Sequence, residues 1–216
     1  MMKNKNGVRL ILSAVLFVGG VQLAGAADDA GWYVGGGGGR SEVQRPGSFS
    51  QAETGILQQT RGISSTTIIE SRDTAWKVFG GYQFNENFAV EAAYHDFGSF
   101  KGVTTITAPA ASVAPGKWDA TAGSLAAVGM YPLVKGLFVM GKAGLAVTDL
   151  KVSVPGALYS PSVNRVQPLL GVGLKYEFNK TFGIRAEFER FNNVGDGSDT
   201  GQSPIHVWSL GAQVRF

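Results

Sequence analysis

The chain has 216 residues, 44% of them hydrophobic and 16% charged, and no cysteine. It is therefore sized for one domain and uses neither disulfides nor thiolate metal sites. Of its 19 Lys and Arg, three lie in the first 26 residues, which hold none of the 16 Asp and Glu; beyond residue 26 the two signs balance, which gives no support to nucleic-acid binding, a function that needs a clustered basic face.

Residues 1–26 read as a secretory signal peptide. Lys3, Lys5 and Arg9 precede an apolar stretch over residues 10–18, and the small-residue site Ala24-Gly25-Ala26 follows. That stretch is shorter than the roughly 20 residues a membrane-spanning helix needs, so cleavage before Ala27 is expected rather than an anchor. The remainder, residues 27–216, is predicted to be one domain.

From residue 31 onward the hydrophobic pattern has a period of two. Residues 31–40 form a first strand whose Gly35 to Gly39 run is poor strand material by propensity. In a narrow barrel those glycines leave room for large side chains of neighbouring strands. In the next segment Trp76, Val78, Gly80, Tyr82 and Phe84 oppose Lys77, Phe79, Gly81 and Gln83. After the turn Asn85-Glu86-Asn87, Phe88, Val90, Ala92 and Tyr94 oppose Ala89, Glu91, Ala93 and His95. Residues 118–131 and 137–148 form a pair in which glycine and alanine blur the two faces; Lys142 marks the polar one. Over residues 167–178, Pro168, Leu170, Val172, Leu174, Tyr176 and Phe178 oppose a face with Lys175 and Glu177. Phe182, Ile184, Ala186 and Phe188 then oppose Arg185, Glu187 and Glu189. In the last segment Trp208, Leu210, Ala212, Val214 and Phe216 oppose Ser209, Gly211, Gln213 and Arg215.

Charges confined to one face, with apolar residues on the other, predict an all-β fold: an eight-stranded antiparallel up-and-down transmembrane β-barrel, greasy outside and polar inside. Connections at residues 85–87, 132–136 and 179–181 are short, whereas 41–74, 98–117, 149–164 and 192–204 are long and rich in Ser, Thr, Gly, Asn and Pro. With an even strand count both termini fall beside the short turns, which bacterial barrels keep in the periplasm, and the long loops face outward from the cell. Tyr82, Phe84, Phe88, Tyr131, Tyr176, Phe178, Phe182 and Phe216 all lie beside a short turn or the C-terminus and predict a periplasmic aromatic girdle.

The segments Gly31-Trp32-Tyr33-Val34-Gly35, Val78-Phe79-Gly80-Gly81-Tyr82-Gln83-Phe84 and Leu174-Lys175-Tyr176-Glu177-Phe178 resemble the OmpA-like transmembrane barrel family, and the similarity spans residues 30–216. The resemblance implies an integral protein of the bacterial outer membrane, in contact with its lipid and lipopolysaccharide. The row Trp208, Leu210, Ala212, Val214 and Phe216 looks like the C-terminal signal read by the outer-membrane assembly machinery. Ending at the eighth strand departs from family members that carry a periplasmic peptidoglycan-binding domain, so anchoring to the cell wall is not implied.

An eight-stranded barrel is just wide enough to be filled by side chains. Lys77, Lys142, Lys175, Arg185 and Arg215 are expected to share the interior with Glu91, Glu177, Glu187 and Glu189 as mutually paired ions. The expected role is an envelope component with surface loops. Its alternative is an adhesin or host-interaction protein that binds an extracellular ligand through them; a narrow pore or lipid A-modifying enzyme is less expected.

No cofactor, metal or catalytic residue is expected. Gly136 to Lys142 nearly matches a phosphate-binding loop, but Ala143 lacks the metal-binding hydroxyl and the residues between are apolar strand. Asp196 and Asp199 lack the rest of a calcium ligand series. His206 and Ser209 are an odd spacing apart in a strand and face opposite ways, while His95 points inward on a strand that does not adjoin that of His206.

Overall fold

A computed structural model describes residues 30–44, 50–51, 54–55, 58, 64–108, 112–153, 162–196 and 201–216. The expected signal peptide and Asp199 lie outside the described residues. The strands are β1 (Gly31–Val43), β2 (Ser64–Ile69), β3 (Arg72–Gln83), β4 (Phe88–Ala108), β5 (Ser112–Val134), β6 (Leu137–Ser153), β7 (Ser162–Glu177), β8 (Phe182–Asp196) and β9 (Gly201–Arg215).

All pairings are antiparallel, and the ring runs β1-β3-β4-β5-β6-β7-β8-β9 and back to β1. β2 is not a further stave. It pairs with residues 102–108 of β4 while β3 pairs with residues 89–96, so β2 and β3 form one interrupted strand and the barrel has eight walls. Closure joins the first strand to the last, with Trp32 N donating to Phe216 O at 3.1 Å and Phe216 N donating to Trp32 O at 2.9 Å.

The strand phases match the alternation read from the sequence, but the strand ends do not. Much of what composition marks as long loops is paired strand: β4 and β5 continue to Ala108 and from Ser112, β6 runs to Ser153, β7 begins at Ser162, and β8 and β9 close to Asp196 and Gly201. The reason is that Ser, Thr and Ile are competent on a pleated surface once a neighbouring strand offers hydrogen bonds; Thr66 faces Thr105 and Ile68 faces Val103 in this way. The short connection expected at 132–136 is tighter, since β5 reaches Val134 and the turn is Lys135-Gly136, with Gly136 at φ 79°. The other two turns are held by asparagine: Asn85 Oδ1 accepts from Asn87 N and Phe88 N, both at 2.9 Å, and Asn179 Oδ1 accepts from Thr181 N at 2.9 Å and Phe182 N at 2.8 Å.

β4 carries a bulge between Asp96 and Ser99. Gly98 adopts φ 80°, its N–H donates to Asp96 Oδ1 at 2.8 Å, and Ser99 N donates to Asp73 Oδ2 at 2.5 Å. The extra residue shifts the phase of the strand, so that Phe97 and Phe100 both turn inward and are fully buried.

Outside, the barrel is apolar. Phe84, Phe88, Tyr131, Tyr176, Phe178, Phe182 and Phe216 are exposed at the turn end. Trp76 and Tyr94, with ring centroids 5.7 Å apart, and Phe188 and Trp208, 4.5 Å apart, form a second ring at the other end. Valine and leucine fill the band between.

The glycine run in β1 fits its expected purpose at Gly35, where a Cβ would lie 2.3 Å from Phe79 Cζ and 2.4 Å from Ala212 O. At Gly39 the obstacle is instead the backbone of β9. Gly35→Val is therefore expected to prevent closure of β1 on β9, seen as loss of the compact, heat-modifiable form on unheated gels. A compact Gly35→Val protein would show that the wall can yield there.

Candidate functional site: the barrel interior

Strand alternation turns residues i and i+2 to the same side, which places Arg185, Glu187 and Glu189 in one inward row on β8. Across the lumen stand Glu91 on β4, Lys77 on β3 and Lys142 on β6, all buried. Lys142 Nζ donates to Glu91 Oε1 at 2.7 Å, Glu187 Oε2 at 2.8 Å and Glu189 Oε1 at 2.9 Å. Lys77 Nζ meets Glu189 Oε2 at 2.7 Å and Glu187 Oε1 at 3.0 Å. Arg185 grips Glu91 with both Nη atoms, at 2.7 and 2.9 Å, and pairs through Nε with Glu187. Its guanidinium also lies over the Phe79 ring, 3.4 Å from the centroid, and Tyr33 OH donates to Glu91 Oε2 at 3.1 Å. Three cations and three carboxylates thus neutralise one another.

The other three charges form a separate group near the short turns. Lys175 Nζ lies 2.8 Å from Glu177 Oε1 and donates to Gln83 Oε1 at 3.3 Å, while Arg215 Nη1 is 3.9 Å from Glu177. Of the nine residues expected to pair inside, six stand in the central cluster and three in this lower group.

Two features were not read from the sequence. The first is an apolar plug at the tall end, where Phe97, Phe100, Trp118, Leu150, Phe191 and Ile205 fill the lumen above the ions. The second is a polar contact beneath it: His95 Nε2 lies 3.0 Å from Ser124 Oγ, and His95 Nδ1 is 4.0 Å from Glu189 Oε2. A hydroxyl, imidazole and carboxylate in series invite comparison with a hydrolase. Glu189, however, is held by Lys77 and Lys142, and His95 is 1% exposed beneath Phe97 and Phe191, whose ring centroids lie 6.0 and 4.9 Å from its own. His206 and Ser209 face opposite ways, as their spacing predicts. The near-match to a phosphate-binding loop is strand β6, with its lysine committed to three glutamates.

An apolar belt between two aromatic rings outside, with buried ions inside, inverts the arrangement of a water-soluble barrel and defines a transmembrane β-barrel. The chain matches the OmpA-like transmembrane domain over residues 27–216 and belongs to that family. It is 30% identical over 214 residues to outer membrane protein A of Yersinia pseudotuberculosis, covering 95% of this chain and 54% of that protein. To outer membrane protein A of Shigella flexneri it is 30% identical over 144 residues, covering 64% of this chain and 39% of that one. The chain therefore spans about half, or less, of the length of these curated relatives.

Among solved structures, OprG of Pseudomonas aeruginosa superimposes with a TM-score of 0.54 at 13% identity, covering 87% of this chain and 97% of the other. Neisserial surface protein A does so with a TM-score of 0.53 at 16% identity, covering 87% and 99%. These likenesses concern the fold. The protein is an integral component of the bacterial outer membrane.

Proposed function

We propose that this chain is a non-conducting structural barrel of the outer membrane that presents tall hairpins at the cell surface. The observation that carries the reading is the central cluster. Lys142 is bonded at once to Glu91 on β4 and to Glu187 and Glu189 on β8, and β4 and β8 are opposite walls of the ring. With the apolar plug stacked above, the space a solute would need is occupied by side chains. In this reading the signal peptide is removed before Ala27, and the termini and short turns lie in the periplasm. The outward row Trp208, Leu210, Ala212, Val214 and Phe216 is what the assembly machinery recognises. The sealed His95 and Ser124 are structural rather than catalytic. Folded protein in planar bilayers is expected to give no conductance steps, and protease added to intact cells to cut only in the hairpins; sustained channels, or cleavage confined to the turn end, would overturn it.

A second role, surface binding, draws support from the extension of β2, β4 and β5 beyond the second aromatic ring, which builds a stiff projecting sheet. Replacing residues 45–63 by a short Gly-Ser linker leaves β1 and β2 intact. Lost host-cell adherence would establish binding through that connection, and unchanged adherence would favour the passive role.

A further inference from the structure

The outer wall carries one row of partners across four strands. Arg190 on β8 stands opposite His206 on β9, His206 opposite Glu42 on β1, and Glu42 opposite Arg72 on β3. The next outward row toward the apolar band is Phe188, Trp208, Arg40 and Thr74. Aromatic rings mark the depth at which hydrocarbon gives way to headgroups, so Arg40, Arg72 and Arg190 stand at that boundary on the side of the tall hairpins.

The row has an excess of positive charge. Glu42 is its single carboxylate and is engaged by Arg72 Nη2 at 3.0 Å. Arg190 Nε donates to Asn192 Oδ1 at 2.7 Å, which fixes the guanidinium against the wall. The Arg40 side chain is exposed beside Trp208 and makes no ion pair or hydrogen bond among the described residues. Cationic side chains on the lipid face of a barrel are costly toward the bilayer centre and become tolerable at the interface, where an anion of the lipid itself can complete them. Guanidinium presents a planar fork that matches phosphate oxygens two at a time, which ammonium does not.

We propose that Arg40 and Arg190, with Arg72 at the flank, form a docking site for a phosphate on the disaccharide headgroup of outer-leaflet lipopolysaccharide. The acyl chains lie along the Trp208, Leu210 and Val214 face below. The outer-leaflet assignment rests on the orientation proposed above; the binding itself does not.

The test uses the full chain folded into phosphatidylcholine nanodiscs and titrated with diphosphorylated lipid A, with retained lipid counted by native mass spectrometry. Lipid A is expected to be retained in preference to its dephosphorylated form and to phosphatidylglycerol. Retention should weaken about tenfold for each arginine removed in R40A and R190A. R40K/R190K, which keeps the charges but not the forks, should be intermediate and serves if the alanine pair fails to fold. K101A/K117A, which removes exposed cations on β4 and β5, should match the unaltered chain. Equal retention by R40A/R190A and the unaltered chain, or phosphatidylglycerol retained as firmly as lipid A, would overturn the site. Lipid A reaches both faces of a nanodisc, so an inverted orientation found by surface proteolysis would withdraw the leaflet and leave the binding result standing.

Discussion

Lys142→Met is expected to lower the free energy of unfolding in detergent by about 3–5 kcal/mol, the usual penalty for removing one partner from a buried ion cluster. The size follows from what is left behind. Glu91, Glu187 and Glu189 all converge on Lys142 Nζ within 2.9 Å, and without it Lys77 and Arg185 must balance three carboxylates. The intact cluster need not add much net stability, because desolvating six ions offsets much of their attraction; the asymmetry between keeping and breaking it makes the variant informative. Lys180→Ala, in an exposed turn, should stay within about 0.5 kcal/mol of the unaltered protein. Adding Glu187→Gln to Lys142→Met should recover part of the loss, giving a coupling that a double-mutant cycle isolates. Urea midpoints followed by tryptophan fluorescence and gel mobility read both. Equal midpoints for Lys142→Met and Lys180→Ala would mean that water already solvates these groups in the lumen.

Trp118→Ala should be comparably damaging, at about 3–5 kcal/mol, through a different mechanism. Trp118 is fully buried and packs in the apolar cluster that contains Phe97, Phe100, Leu150 and Phe191. Truncation removes the largest side chain of a plug that sits inside the barrel, out of reach of lipid. Trp208→Ala should cost less, since its ring is 62% exposed on the lipid side and lipid fills the space it leaves. An equal loss for the two tryptophans would argue that the plug is loosely packed.

The reach of sequence reasoning tracks the physics of each region. Where lipid is the outer solvent, alternation is enforced residue by residue, so the outward row ending in Phe216 and the inward Arg185, Glu187 and Glu189 were legible. The partners of each ion were not, because they depend on the stagger of distant strands; Lys142 meets Glu91 across a sequence separation of 51 residues. Beyond the second aromatic ring, serine and threonine serve strands and loops alike, which hid β2 and the far parts of β4 and β5. The plug escaped for a related reason: the bulge at Asp96 to Ser99 breaks the alternation just where Phe97 and Phe100 turn inward. Gly35 was half legible, since its need for space could be foreseen but not that Phe79 would be the neighbour claiming it.

The pairing of β1 with β9 has a consequence for biogenesis. Contacts such as Val34 with Val214 join positions far apart in sequence, so the last seam cannot zip until β9 is available. Until then two open edges carry rows of unsatisfied amides that hydrocarbon cannot accommodate. A chain truncated within β9 is therefore expected to leave the barrel open and to be missing from membrane fractions.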